Sequence, residues 1–101
     1  MPEIQELSLD HFSPLLGQGF SLCLDNGETY TLELEEAVSL GSAAGPGFRQ
    51  PFALHLRHPR GDAFLPQRTY CLKHPTLGAF DLFIVPLGPD ARGMRYEIIF
   101  S

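Results

Sequence analysis

From Gly19 onward the apolar residues recur at every second position, in short runs broken by turn-forming residues, and this period of two most limits the folds open to the chain. A strand sends successive side chains to opposite faces, so strict alternation writes one buried face per strand. Over about 19–25, Phe20, Leu22 and Leu24 alternate with Ser21, Cys23 and Asp25. Asn26-Gly27 follows, the pair that a tight type I′ hairpin favours because both of its central residues need positive φ. The return strand is predicted over about 28–40, with Tyr30, Leu32, Leu34, Val38 and Leu40 on one parity. That is long for a small domain, and Glu36 breaks the inward parity. A bulge near Glu35-Glu36-Ala37 that lets Glu36 reach solvent is therefore expected.

Four more strands follow. The segment 52–57 has Phe52, Leu54 and Leu56 inward with His55 and Arg57 outward, and 69–74 sets Tyr70 and Leu72 against Cys71 and Lys73. The segment 79–85 is apolar on both faces near its end, and 94–100 carries Met94, Tyr96, Ile98 and Phe100 on one side. The one helical pattern lies at about 9–16, where Leu9, Phe12, Leu15 and Leu16 recur at helical spacing, Ser8 or Asp10 can cap the start and Gly17 can end it. Residues 41–51, rich in Gly, Pro and Ala, are the longest connection.

Six strands with one apolar face each need a second apolar surface, and closing the sheet on itself supplies it while removing edges. The expected fold is mainly β: a small six-stranded antiparallel β-barrel or roll with one short N-terminal helix, a single domain over 1–101. A flat two-sheet sandwich is the alternative. The helix is expected to bring Phe12, Leu15 and Leu16 to an open end and to meet the second face of the 79–85 strand.

Charge narrows the functions. The net charge is -5, which disfavours binding to nucleic acid or to an anionic membrane, since both need a basic footprint. Up to residue 48 there are eight acids and no Lys or Arg, whereas 49–101 carries seven bases and four acids. Such asymmetry suits docking or head-to-tail self-association, or else strands from the two halves balance each other within one fold. Cys23 and Cys71 lie too far apart in sequence for a zinc ribbon or a C-x-x-C redox motif. No secretory leader or membrane span is written, so a cytoplasmic location with free thiols is expected.

Candidate chemistry is sparse. His55 and Arg57 share a strand face, and Arg68 or Lys73 on the following strand could lie beside them as a small anion-binding patch; a solvated strand face is the plainer account. Asp10, His11 and Ser13 are the residue types of a hydrolytic triad, but helix capping explains them better. His55, His58 and His74 would ligate a metal only if the turns gathered them, and no metal or cofactor is expected. Glu33 and Glu35 share a face as paired acids must, and Arg60-Gly61-Asp62 spells an integrin-type tripeptide in a turn of ordinary chemistry. Phe20, Tyr30, Tyr70 and Phe80 point inward, where a ligand-binding barrel would use them.

At LSLDHFSPLLGQGF, and again at FLPQRTYCLKHPTLGAFDLFIVPLGPDARGMRYEIIFS, the chain resembles a family of bacterial proteins of about this length known as a domain of unknown function. The most recognisable residues are Leu65-Pro66-Gln67, Tyr70, His74-Pro75, Leu77-Gly78, Pro86-Leu87-Gly88-Pro89, Gly93-Met94 and Tyr96. The resemblance implies a single-domain cytoplasmic β protein, often encoded near tail-collar or tail-fibre-like proteins of phage-derived type. It assigns no catalytic or ligand residue. The expectation is a non-enzymatic binding or structural accessory protein with a protein partner of tail-fibre-like kind, and weak self-association through the first or last strand if the barrel stays open. A small-ligand-binding barrel is the alternative.

Overall fold

The computed structural model describes residues 7–25, 27–41, 45, 50–60 and 65–100. In chain order the elements are α1 (Leu9–Phe12), a 3-10 turn (Ser13–Leu15), β1 (Gly19–Cys23), β2 (Thr29–Ser39), β3 (Phe52–His58), β4 (Arg68–His74), β5 (Gly78–Asp90) and β6 (Gly93–Phe100). The strands close into an antiparallel barrel in the order β1-β2-β3-β6-β5-β4, with β4 returning to pair with β1. Consecutive β3 and β4 are therefore separated by two strands in either direction. Among the described residues no helix is long and apolar enough to cross a membrane.

The inward parity fills the interior. Leu22, Leu32, Leu34, Leu54, Leu56, Ile84, Tyr96 and Ile98 are buried almost completely, and the alternation read from the sequence is the alternation of the sheet. The expected bulge on β2 is present: Leu34 pairs with Leu56, Glu36 with His55 and Ala37 with Leu54, leaving Glu35 as the extra residue. One inserted residue sends every later side chain to the opposite face. Val38 accordingly turns outward across from Ala53, Ala37 packs on the core and Leu40 is half exposed, which corrects the inward placement of Val38 and Leu40. A second register shift between Pro86 and Gly88 lets β5 continue to Asp90 through a segment that its prolines mark as a loop.

Two local expectations change. The Gly27 N–H donates to the Leu24 carbonyl at 3.0 Å and the Leu24 N–H to the Glu28 carbonyl at 2.9 Å, so the β1–β2 loop is three residues long with Gly27 at φ 86. The two-residue type I′ turn is not formed, because a three-residue loop with a glycine bulge also matches the strand twist; Asn26 itself lies outside the described residues. The helix is a single α turn capped by Ser8, whose backbone N–H donates to His11 Nδ1 at 3.0 Å. It tightens to 3-10 at Ser13 because Pro14 offers no N–H to continue it.

That short helix plugs one mouth of the barrel. Phe12 sits among Phe100, Phe52 and Phe20 at ring-centroid distances of 5.5, 5.8 and 6.3 Å, with Leu7 and Leu15 buried beside it. It does not reach the second face of β5, where Phe83 stays 51% exposed; the aromatic ends of β1, β3 and β6 offer the larger apolar contact. At the opposite mouth the Leu65 N–H donates to Tyr96 Oη at 2.9 Å and Tyr70 Oη donates to the Pro66 carbonyl at 2.6 Å.

Phe12→Ala should lower unfolding free energy in urea by about 3–5 kcal/mol, the usual cost of deleting a buried phenylalanine. Glycine substitutions give a second test. Gly93, at φ 132, has no room for a side chain, since a Cβ would lie 2.0 Å from the His58 carbonyl oxygen, whereas Gly27 faces open space. Gly27→Ala should cost about 1 kcal/mol through its positive φ alone, and Gly93→Ala should cost clearly more in the same measurement.

Candidate functional site

The outer faces of β2, β3, β6 and β5 carry the densest chemistry among the described residues. Register lays it out in rows. Glu33 lies opposite Arg57, which lies opposite Arg95 and then Gly88; one row along, Glu36, His55, Glu97 and Val85 stand in line. The bulge adds Glu35 to the same face, and the extension of β5 brings Asp90 to it. Together Glu35, Glu36, His55, Arg57, Asp90 and Arg95 line an open groove of about 260 Å³.

Arg57 is the centre of the first row. Its Nε donates to both carboxylate oxygens of Glu35, at 2.9 Å to Oε2, and its Nη1 donates to Asp90 Oδ1. Arg92 Nη1 stands 3.6 Å from Glu35 Oε2 on the far side. The Arg57 hydrogen bond, helped by the Arg92 backbone N–H at 2.8 Å, holds the Asp90 carboxyl down at about 2, and the same pair raises the Arg57 pKa further. Asp90 is thus an acceptor at any working pH and not a proton donor.

His55 is the centre of the second row. Its Nδ1 lies 2.7 Å from Glu36 Oε1 and its Nε2 lies 3.0 Å from Glu97 Oε2. An imidazole with a carboxylate oxygen against each nitrogen is in the geometry of the imidazolium, which donates from both. Partial burial works against that charge, but the hydrogen bonds to Glu97 and Glu36 outweigh it and raise the His55 pKa above its ordinary 6.5.

The other two residues of the anticipated patch lie elsewhere. Arg68 and Lys73 are on β4, across the barrel from His55 and Arg57, because β4 pairs with β1 and β5 and not with β3. Arg68 Nη2 donates to Asp25 Oδ2 at 3.0 Å and its guanidinium lies 4.9 Å over the Tyr70 ring. Lys73 lies opposite Ser21 and Ala79 on a separate shallow groove. The three histidines also stay apart. His58 packs on Tyr30 at 3.8 Å, and buried His74 accepts from the Thr76 N–H at 3.1 Å and meets Gln18 Oε1 at 2.8 Å. His11 serves the helix cap and Ser13 Oγ bonds the Leu9 carbonyl, which accounts for the triad-type residues. Gly61 and Asp62 of the integrin-type tripeptide, and most of the 41–51 connection, lie outside the described residues.

The barrel interior is occupied by its own side chains. The enclosed space between Phe12, Phe20, Leu72, His74 and Phe80 is about 10 Å³, the room of one water molecule.

These features define a small closed six-stranded antiparallel β-barrel with a plugged mouth and a cross-strand ion-pair network on its outer face. The chain belongs to the family described as Domain of unknown function (DUF6916), whose model matches residues 7–100, from the first buried plug residue to the last core ring. No curated protein and no solved structure matches it.

The charge on His55 has a pH signature. A histidine whose folded pKa is raised adds stability that is fully present below its unfolded value near 6.5 and disappears as pH rises through the folded value. Thermal melts should show a fall in Tm above pH 6.5 that is reduced in His55→Ala, and the NMR titration of the His55 ring should have its midpoint above 6.5.

Proposed function

We propose that the domain is a non-enzymatic protein-binding module, an accessory to a phage-tail-like or surface-fibre assembly in the bacterial cytoplasm, with a tail-fibre-like protein as its partner. The observation that carries the docking role is an apolar band beside the charged rows. Phe83 and Val85 point outward on β5, and Ile99 points outward on β6 two residues beyond Glu97, the partner of Val85. Phe83, Ile99 and the bulge residue Leu87 are 51, 50 and 44% exposed. Large apolar side chains gathered beside a charged border are the anatomy of a protein-binding face.

The groove supports a recognition role over a catalytic one, because its titratable groups are held in mutual ion pairs that fix a charge pattern. Arg57 is shared between Glu35 and Asp90, and His55 between Glu36 and Glu97. The filled interior likewise favours recognition on the outer face. The free thiols of Cys23 and Cys71 suit a reducing compartment.

The experiment is co-expression of the tagged chain with the proteins encoded beside it, followed by affinity capture and light scattering. A stoichiometric complex is expected, and Phe83→Asp should abolish capture while leaving Tm within a few degrees of the parent, since an exposed side chain contributes little to folding. A complex indifferent to Phe83→Asp and Ile99→Asp would remove this face from the account, and no complex at all would remove the accessory role.

A further inference from the structure

On β4, the strand next to β5, Cys71 stands directly across from Cys23 of β1. Both are outward by parity, half-buried and unbonded. Antiparallel register alone brings facing Cα atoms to about 4.5 Å or about 5.5 Å, depending on whether the pair is hydrogen-bonded. Both separations fall in the window of about 4.4–6.8 Å that a disulfide spans. Burial, together with the neighbouring Cys23 thiol, raises the Cys71 thiol above its ordinary value.

We propose that Cys23 and Cys71 form a reversible dithiol–disulfide site that exchanges with small-molecule disulfides of the glutathione type. The thiolate of one cysteine attacks a sulfur of the small disulfide, expelling one small thiolate, which takes up a proton, and leaving a mixed disulfide. The second cysteine then loses its proton and attacks the protein-bound sulfur, expelling the second small thiol. Two protein thiols are oxidised to one S–S bond and one small disulfide is reduced to two thiols, so electrons and protons balance. The facing register makes the second step intramolecular, which favours the internal bond over a lasting adduct.

The place of the pair gives the reaction a structural consequence. β1 and β4 register over Ser21–Lys73, Leu22–Leu72 and Cys23–Cys71 only, the shortest junction of the barrel. Oxidation would staple that junction at its last pair, joining residues far apart in the chain. This inference rests on the register of β1 and β4 and is independent of the docking face.

The test uses the full chain, reduced and then equilibrated with oxidised glutathione. The expected result is loss of both titratable thiols, a monomer whose mass falls by two hydrogens, a Cys23–Cys71 cross-linked peptide, and a rise in Tm on the order of 10 °C that dithiothreitol reverses. Cys23→Ser and Cys71→Ser, each checked for folding by circular dichroism, should both stop at a single glutathione adduct. Unchanged thiols in the folded parent would overturn the proposal, and so would a stable glutathione adduct on the parent or a disulfide-linked dimer in place of the internal bond.

Discussion

The barrel depends on β4 returning to β1. An open six-stranded sheet would expose two rows of unpaired backbone N–H and C=O groups and leave its apolar face without a second layer. Here that return is made over the three pairs from Ser21–Lys73 to Cys23–Cys71, and side chains secure it at both ends. Gln18, just before β1, meets His74 at the end of β4 at 2.8 Å, and Asp25, just after β1, meets Arg68 at the start of β4 at 3.0 Å. The two clasps are unequal. An exposed ion pair is worth about 0–1 kcal/mol, whereas unpairing the buried His74 would cost about 1–3 kcal/mol in lost solvation. The junction is firm next to the helical plug and soft next to the β1–β2 loop, where the two thiols meet.

Bulges convert this simple tube into a patterned surface. Without the extra residue on β2, Glu36 would face the core and Val38 would follow it inward. With it, Glu33, Glu35 and Glu36 all reach the outer face within four positions, each close to a cation of β3. The bulge on β5 does the complementary work, carrying the strand on to Asp90 so that Arg57 meets a second carboxylate. Two register irregularities therefore assemble the ion-pair network that the regular pleat could not.

Much of the architecture was legible because period-two alternation is a local property. Phe20, Leu22, Leu32, Leu34, Leu54 and Leu56 could be placed inward from spacing alone, and Glu36 marked the bulge because a lone carboxylate on an inward parity has no cheap alternative. Strand order was not legible, since it depends on non-local pairing that no single segment encodes. Hence His55 and Arg57 could be read as neighbours of each other but not of Glu97 and Asp90, and Arg68 and Lys73 were set beside a strand that lies across the barrel. The charge asymmetry held the missing information in coarse form. The acids of the first half and the bases of the second meet as Glu35 with Arg57 and Arg92, Glu36 with His55, and Asp25 with Arg68.

Side chains close both mouths of the barrel. Phe12 and its three ring neighbours fill one mouth, while Tyr70 and Tyr96 are tied by hydrogen bonds to the 65–66 segment at the other. Side chains of this size leave the interior no freedom to open without losing several kcal/mol of packing, whereas substitutions at outward positions cost little. Around the ring β6 lies opposite β1 and β3 opposite β4. The charged rows centred on β3 thus lie across the barrel from Cys71, whereas the apolar band on β5 adjoins it, because Phe83 pairs with Thr69 and Asp81 with Cys71. A partner that covers Phe83 would therefore reach the strand that carries Cys71, so docking there and thiol reaction would share one side of the barrel.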